Sequence, residues 1–258
     1  MALGHHIIMR LEDDRVIAPD TASQRLLAKT VFRAARSFRL TVFRCADNHI
    51  HAQLAEQLAR AMELARRIEI ALSLVLGLDV PFQRARARPI ANQWHFSSTF
   101  HYILNQERHH GTALDDFFEA SNLPDLLGMR LIEPDAARHV RSLLPRVTRD
   151  ELLGHLGGPA IDFAPKCLDD VADSAAAAFA LPTLASRSRD STRARAAAFG
   201  AARGLGSSNQ LAAAIGVSER TVRRMRTDAG ERTSDAAAIR AVELQMGLRS
   251  ARRARRAA

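Results

Sequence analysis

The chain has 258 residues, 47% hydrophobic and 25% charged, ordinary globular usage that excludes wholesale disorder. Its longest uncharged apolar runs, 70–78 and 175–185, fall short of the roughly 20 residues of a membrane helix. Two cysteines, Cys45 and Cys167, are too few for a disulfide framework or an all-cysteine zinc site, and the net charge of +9 points to a polyanionic partner.

The first residues lack the basic and apolar pattern of a secretory signal, so a soluble, cytoplasmic protein is expected. His6 to Leu11 has strand composition. Residues 21–38 form a helix with Leu26, Leu27, Val31 and Phe32 at its apolar positions. Residues 39–46 and 49–54 are strands joined at Asp47-Asn48, a tight-turn signal, and so make a hairpin. Apolar residues recur at helical spacing over 57–77, with Gly77 as C-cap. Residues 80–90 are extended, with Arg84, Arg86 and Arg88 on one face, and 92–109 form a further helix. In the middle, Asn122-Leu123-Pro124-Asp125 breaks a helix, while Gly157-Gly158-Pro159 and the alanine run 175–178 read as linkers. No repeat and no phosphate-cradling glycine loop occurs.

Side chains alternate across a strand, so His49, His51 and Gln53 share one face and Ile50, Ala52 and Leu54 the other. Two imidazoles about 7 Å apart along one strand face can ligate one divalent metal. Without a third ligand, the same pattern is more often a solvated or packing pair. The helix over 92–109 carries Tyr102, the only tyrosine, with Gln106 one turn later on the same face. Glu107, His109 and His110 follow. A lone tyrosine with polar neighbours is also what an ordinary core residue looks like.

The order of these motifs is HHIIMRL on a first strand, Asp47-Asn48-His49-Ile50-His51 on a third, a basic extended segment, then HYILNQERHHG on a helix. It resembles the IS200-like, REP-associated tyrosine transposases of the HUH single-strand nuclease superfamily, over roughly the first 111 residues. The resemblance implies an α+β fold with a ferredoxin-like antiparallel sheet. It also implies that His49, His51 and Gln106 hold Mg²⁺ or Mn²⁺, and that Tyr102 attacks a phosphate of hairpin-forming single-stranded DNA to leave a 5′-phosphotyrosine. Action as a homodimer, with Tyr102 serving either its own or the partner's site, and a nucleoid-associated location follow from the same likeness. Arg84, Arg86 and Arg88 then hold the DNA backbone, unless they are a solvated strand face. Cys45-Ala46-Asp47 departs from the family by lacking a proline often found there.

From Arg187 onward, 16 arginines face 6 acids, which leaves the preceding part nearly neutral. Arginine forks phosphate bidentately, which favours nucleic acid as the partner. SNQLAAAIGVSERTVRRMRT, from Ser208 to Thr227, resembles a helix-turn-helix. Ser208 caps a first helix, Gly216 takes a positive φ at the turn, and Ser218 caps a second. Leu211, Ile215, Val217, Val222 and Met225 are then buried. Arg220, Thr221, Arg223, Arg224 and Arg226 face phosphates and base edges, with a support helix over 193–204. An amphipathic helical hairpin would show the same pattern. Arg252, Arg253, Arg255 and Arg256 read as a disordered arm. The expected division is a tyrosine transposase domain over 1–111, a helical connector over 112–186 and a basic helix-turn-helix region over 187–258. Two further readings compete with the transposase: a noncatalytic DNA-binding regulator, and a structural metal site of His49, His51 and His109.

Overall fold

The computed structural model describes residues 2–106, 115–133, 135–158, 165–228 and 235–257. The chain divides into two compact units, one of Met1–Leu126 with Asp135–Thr148, the other of Leu127–Pro134 with Arg149–Ala258.

In the first unit, β1 (Gly4–Arg10), α1 (Thr21–Ala35), β2 (Leu40–Ala46), β3 (His49–Leu54), α2 (Leu58–Leu76) and β4 (Arg86–Ile90) follow in order. They form a four-stranded sheet of order β2-β3-β1-β4, antiparallel at every pairing. This split β-α-β arrangement, with a β-α-β-β-α-β chain order, is the ferredoxin-like topology, and the unit is α+β as expected. Helix α1 starts at Asp20, whose carboxylate accepts from Ser23 N–H while Ser23 Oγ accepts from Asp20 N–H, a capping box built with serine. It buries Leu27, Ala28, Val31 and Phe32, the i, i+1, i+4, i+5 stripe of one helix face. Helix α2 buries Ala61, Leu64, Ala65, Ile68 and Leu72 and ends at Gly77 in the left-handed region. Asp47, at the β2–β3 turn, has φ 54°, a conformation that aspartate tolerates better than most residues.

Period-2 alternation divides the sheet into two faces. Ile7, Met9, Phe43, Ile50, Ala52 and Leu54 are fully buried on the face toward α1 and α2, where Phe32 of α1 meets Phe43 edge-on at 5.5 Å. The other face carries α3 (Gln93–Leu104), anchored by a hydrogen bond from Gln53 Nε2 to Phe96 O of 2.8 Å.

The outer edge of β2 is covered by residues 115–122. Asn122 takes the place of a strand neighbour: its Oδ1 accepts from Phe43 N–H and its Nδ2 donates to Thr41 O, satisfying an edge that would otherwise template association. Asn122-Leu123-Pro124-Asp125 therefore starts a helix, α4 (Leu123–Leu126), where a break was expected. Buried Arg25 and Glu119 pair at 2.9 Å, and the Arg44 guanidinium donates to Leu104 O and lies 3.7 Å over the Phe118 ring. Asp115 accepts from Glu119 and Ala120 N–H; burial pushes its carboxyl up, and the Arg44 charge opposes that. Helix α5 (Ala136–Leu143) completes this unit.

The second unit is helical: α6 (Arg149–His155), α7 (Val171–Ala178), α8 (Arg189–Ala201), α9 (Ser208–Ile215), α10 (Glu219–Asp228) and α11 (Ala236–Ala257). Two expectations fail here. The alanine run 175–178 is not a linker: it lies in α7 with all four residues buried, because alanine is the best helix former and lets helices approach closely. The arginines at 252–256 are not a disordered arm: they continue α11, where Arg253 forks Asp170 and Arg249 pairs with Asp173 at 2.7 Å. The acids of the 169–173 segment fix that helix end, a pairing between distant stretches of chain that local charge density does not reveal.

Candidate functional site

Direct cross-strand partners share a face, so the registers define what faces α3. His51 lies between Arg44 of β2 and Ile8 of β1, and Ile8 pairs with Arg86 of β4. Gln53 pairs with His6, which pairs with Arg88, and His49 pairs with Arg10. Helix α3 is capped by Asn92, whose Oδ1 accepts from His95 N–H, and it buries Phe96, Phe100, Ile103 and Leu104. Tyr102 falls off that apolar stripe and remains 42% exposed. Its ring centroid is 6.0 Å from those of His6 and His51, edge-on to both. One turn on, Gln106 is fully buried. Its Nε2 donates to Tyr102 O at 3.2 Å, and its buried Oε1 has no hydrogen-bond partner among the described residues. His49, His51, Tyr102 and Gln106 line one cleft of about 250 Å³, together with Arg10, Arg84 and Arg86. Arg88 is exposed beside His6 and outside the cleft lining.

The imidazoles are held from behind. Asn48 Nδ2 donates to Asp13 O and Asp14 Oδ1, which fixes its amide with Oδ1 toward His49 Nδ1 at 3.1 Å. An amide oxygen only accepts, so His49 carries a proton on Nδ1, and in the neutral ring the lone pair is then on Nε2. His51 Nδ1 lies 2.8 Å from His6 Nε2. Burial lowers the His6 pKa to about 4, helped by the charges of Arg88 and His95, so His6 is neutral at neutral pH.

Two imidazole nitrogens and an amide oxygen with no partner among the described residues, at one cleft, fit a small divalent cation with mixed nitrogen and oxygen ligands. Among the described residues no group of three or more His, Cys, Asp or Glu side chains is placed to hold a metal ion. Glu107 and His109, the alternatives to Gln106 as third ligand, lie outside the described residues, as do His110 and the His49–His51–His109 grouping.

In the second unit, α9 is capped by Ser207, one residue before the expected Ser208. Its side chain accepts from Gln210 N–H while Gln210 Oε1 accepts from Ser207 N–H. Gly216, with φ 69°, turns the chain into α10, whose Thr221 N–H is taken by Ser218 Oγ. Leu211, Ile215 and Val222 are buried. Arg220, Arg223 and Arg224 are exposed, with Arg223 held by Glu219 at 2.8 Å. Thr221 is half-buried and bonded to Ser218 Oγ at 2.9 Å. The side chain of Arg226 lies outside the described residues.

Sequence reasoning gave no role to three residues near this cleft: His6, Arg10 and Asn48. The signal for the first two was present, since His6, Ile8 and Arg10 alternate onto one strand face.

No family model matches the chain, and no curated protein matches it. Among solved structures, it is similar to a REP-associated tyrosine transposase bound to a REP hairpin. The identity is 19%, the match covers 47% of this chain and 78% of that one, and the TM-score is 0.37. A likeness this slight assigns no activity to the chain.

Proposed function

We propose that this chain is a metal-assisted tyrosine nuclease and strand transferase acting on single-stranded, hairpin-forming DNA, with a helix-turn-helix as a second DNA contact. One observation carries the reading: Tyr102 stands half-open at the cleft lined by His49, His51 and Gln106, whose Oε1 has no partner among the described residues. His49 and His51 would hold Mg²⁺ or Mn²⁺ through Nε2, and Gln106 through Oε1. When bound, the cation supplies Lewis-acid polarisation of the phosphate and neutralises developing charge. Arg10, Arg84 and Arg86, which line the cleft, and Arg88 nearby bind and orient the DNA backbone. Tyr102 Oη gives up its proton and attacks phosphorus, forming a 5′-phosphotyrosine as the 3′ oxygen leaves and takes a proton. Attack of a 3′-hydroxyl on that phosphotyrosine rejoins the strand and restores the phenol. Arg220, Thr221, Arg223 and Arg224 of α10 face the hairpin stem in this reading, and a homodimer is its expected assembly.

The test is incubation with a labelled single-stranded hairpin library and Mn²⁺, followed by a denaturing gel. The expected result is a covalent protein–DNA band in the wild type that Tyr102→Phe abolishes. Tight binding with no band in either protein would favour the second reading, a DNA-binding regulator that works through α9 and α10, whose exposed arginines need no cleavage chemistry.

A further inference from the structure

We infer that His6 is a positioning residue that holds His51 in the tautomer whose Nε2 lone pair is available to a cation; the inference rests on the metal-assisted reading above. Both rings are buried, stacked with centroids 5.1 Å apart and 28° between planes, and joined by the 2.8 Å contact between His6 Nε2 and His51 Nδ1. A hydrogen bond of that length holds one proton, so one nitrogen donates and the other accepts. If His51 donates, its Nδ1 carries the proton and its Nε2 keeps a lone pair. If His6 donates, His51 must carry its own proton on Nε2, which can then donate a hydrogen bond but cannot ligate.

The metal-assisted reading sets which polarity the site needs, and the neighbouring His49 already has it. Asn48 Oδ1 can only accept, and it fixes His49 as the Nδ1–H tautomer. With His6 accepting through Nε2, His51 takes the same tautomer, and both imidazoles are braced through Nδ1. Residues that brace a ligand's far nitrogen set ring orientation and basicity, and losing one weakens metal binding by about 10–100-fold.

The test uses the full-length metal-free protein with ¹⁵N-labelled histidine and long-range ¹H–¹⁵N correlation spectra, followed by titration with Mn²⁺. The wild type is expected to show His51 as the Nδ1–H tautomer. His6→Phe fills the space without an acceptor and is expected to shift His51 toward Nε2–H and weaken Mn²⁺ binding about 10–100-fold. His6→Gln, whose amide oxygen can accept, is expected to restore both. A wild-type His51 that carries its proton on Nε2 overturns the inference without any variant. So does a folded His6→Phe with unchanged His51 tautomer and Mn²⁺ affinity. Failure of the underlying reading looks different: His49→Ala would then leave Mn²⁺ binding unchanged.

Discussion

Gln106 uses the two ends of one amide for different purposes. Its Nε2 hydrogen bond to Tyr102 O ties the end of α3 and fixes which way the amide points, leaving Oε1 as a buried oxygen without a partner among the described residues. An unpaired buried acceptor costs about 1–3 kcal/mol, a cost that a bound cation would remove. Gln106→Ala is therefore expected to lower Mn²⁺ affinity and covalent adduct formation together, while Gln106→Glu, which retains an oxygen donor, keeps Mn²⁺ binding. Titration calorimetry alongside the adduct gel separates the cases. Full metal-dependent cleavage by Gln106→Ala would place the third ligand elsewhere, with Glu107 and His109 next in line. That the strand of His49 and His51 meets the helix of Tyr102 and Gln106 at one cleft was only what the resemblance implied; the two local periods made legible the pairing within each element, two residues apart along a strand and four along a helix. The bracing by His6 and Asn48 was not legible, because it depends on which strand neighbours which and on the direction of individual hydrogen bonds.

Elements were legible where one face is buried against one neighbour. The boundaries of β3 and the Gly77 end of α2 agree with expectation because alternation and a left-handed glycine are local signals. The alanine run of α7 and the arginines at the end of α11 were misread because their partners, the helical core and Asp170, are far away in sequence. Helix α2 also carries an unresolved conflict at Glu69, which is half-buried with Oε1 lacking a hydrogen-bond partner among the described residues. Burial pushes its carboxyl up to about 7. Below about pH 4.5 the group is protonated both folded and unfolded and costs nothing. As pH rises through 7, the unfolded chain has released the proton while the folded chain must either keep it or bury a charge, so stability is lost. Glu69→Gln should therefore raise stability at pH 8 by on the order of 1 kcal/mol, after discounting for solvent screening, and leave it nearly unchanged at pH 4. Thermal melts at the two pH values check this; an equal shift at both would mean that the effect is packing rather than charge.

At the scale of the whole chain, the +9 charge is not all available to phosphate. Arg249 and Arg253 are committed to Asp173 and Asp170, and Arg193 to Asp235 at 2.7 Å, a contact that holds the Asp235 carboxyl below its usual range. These arginines join stretches of chain far apart in sequence, whereas Arg220 and Arg224 stand exposed on α10. Counterion release depends on arginines that reach phosphate and ignores those already neutralised. Replacing Arg220 and Arg224 by Ala should therefore flatten the dependence of log affinity on log salt for a hairpin stem by about 0.9 per arginine. Replacing Arg84 and Arg86 should flatten the slope for a single strand by about 0.7 per arginine and spare that for the stem. Arg249→Ala and Arg253→Ala should leave both slopes nearly unchanged and lower the melting temperature instead. Fluorescence anisotropy between 50 and 200 mM salt, about the range over which such contacts are felt, reads all three sets. If the Arg249 and Arg253 variants flattened the slope as much as the Arg220 and Arg224 pair, the C-terminal helix would be a phosphate contact rather than a brace.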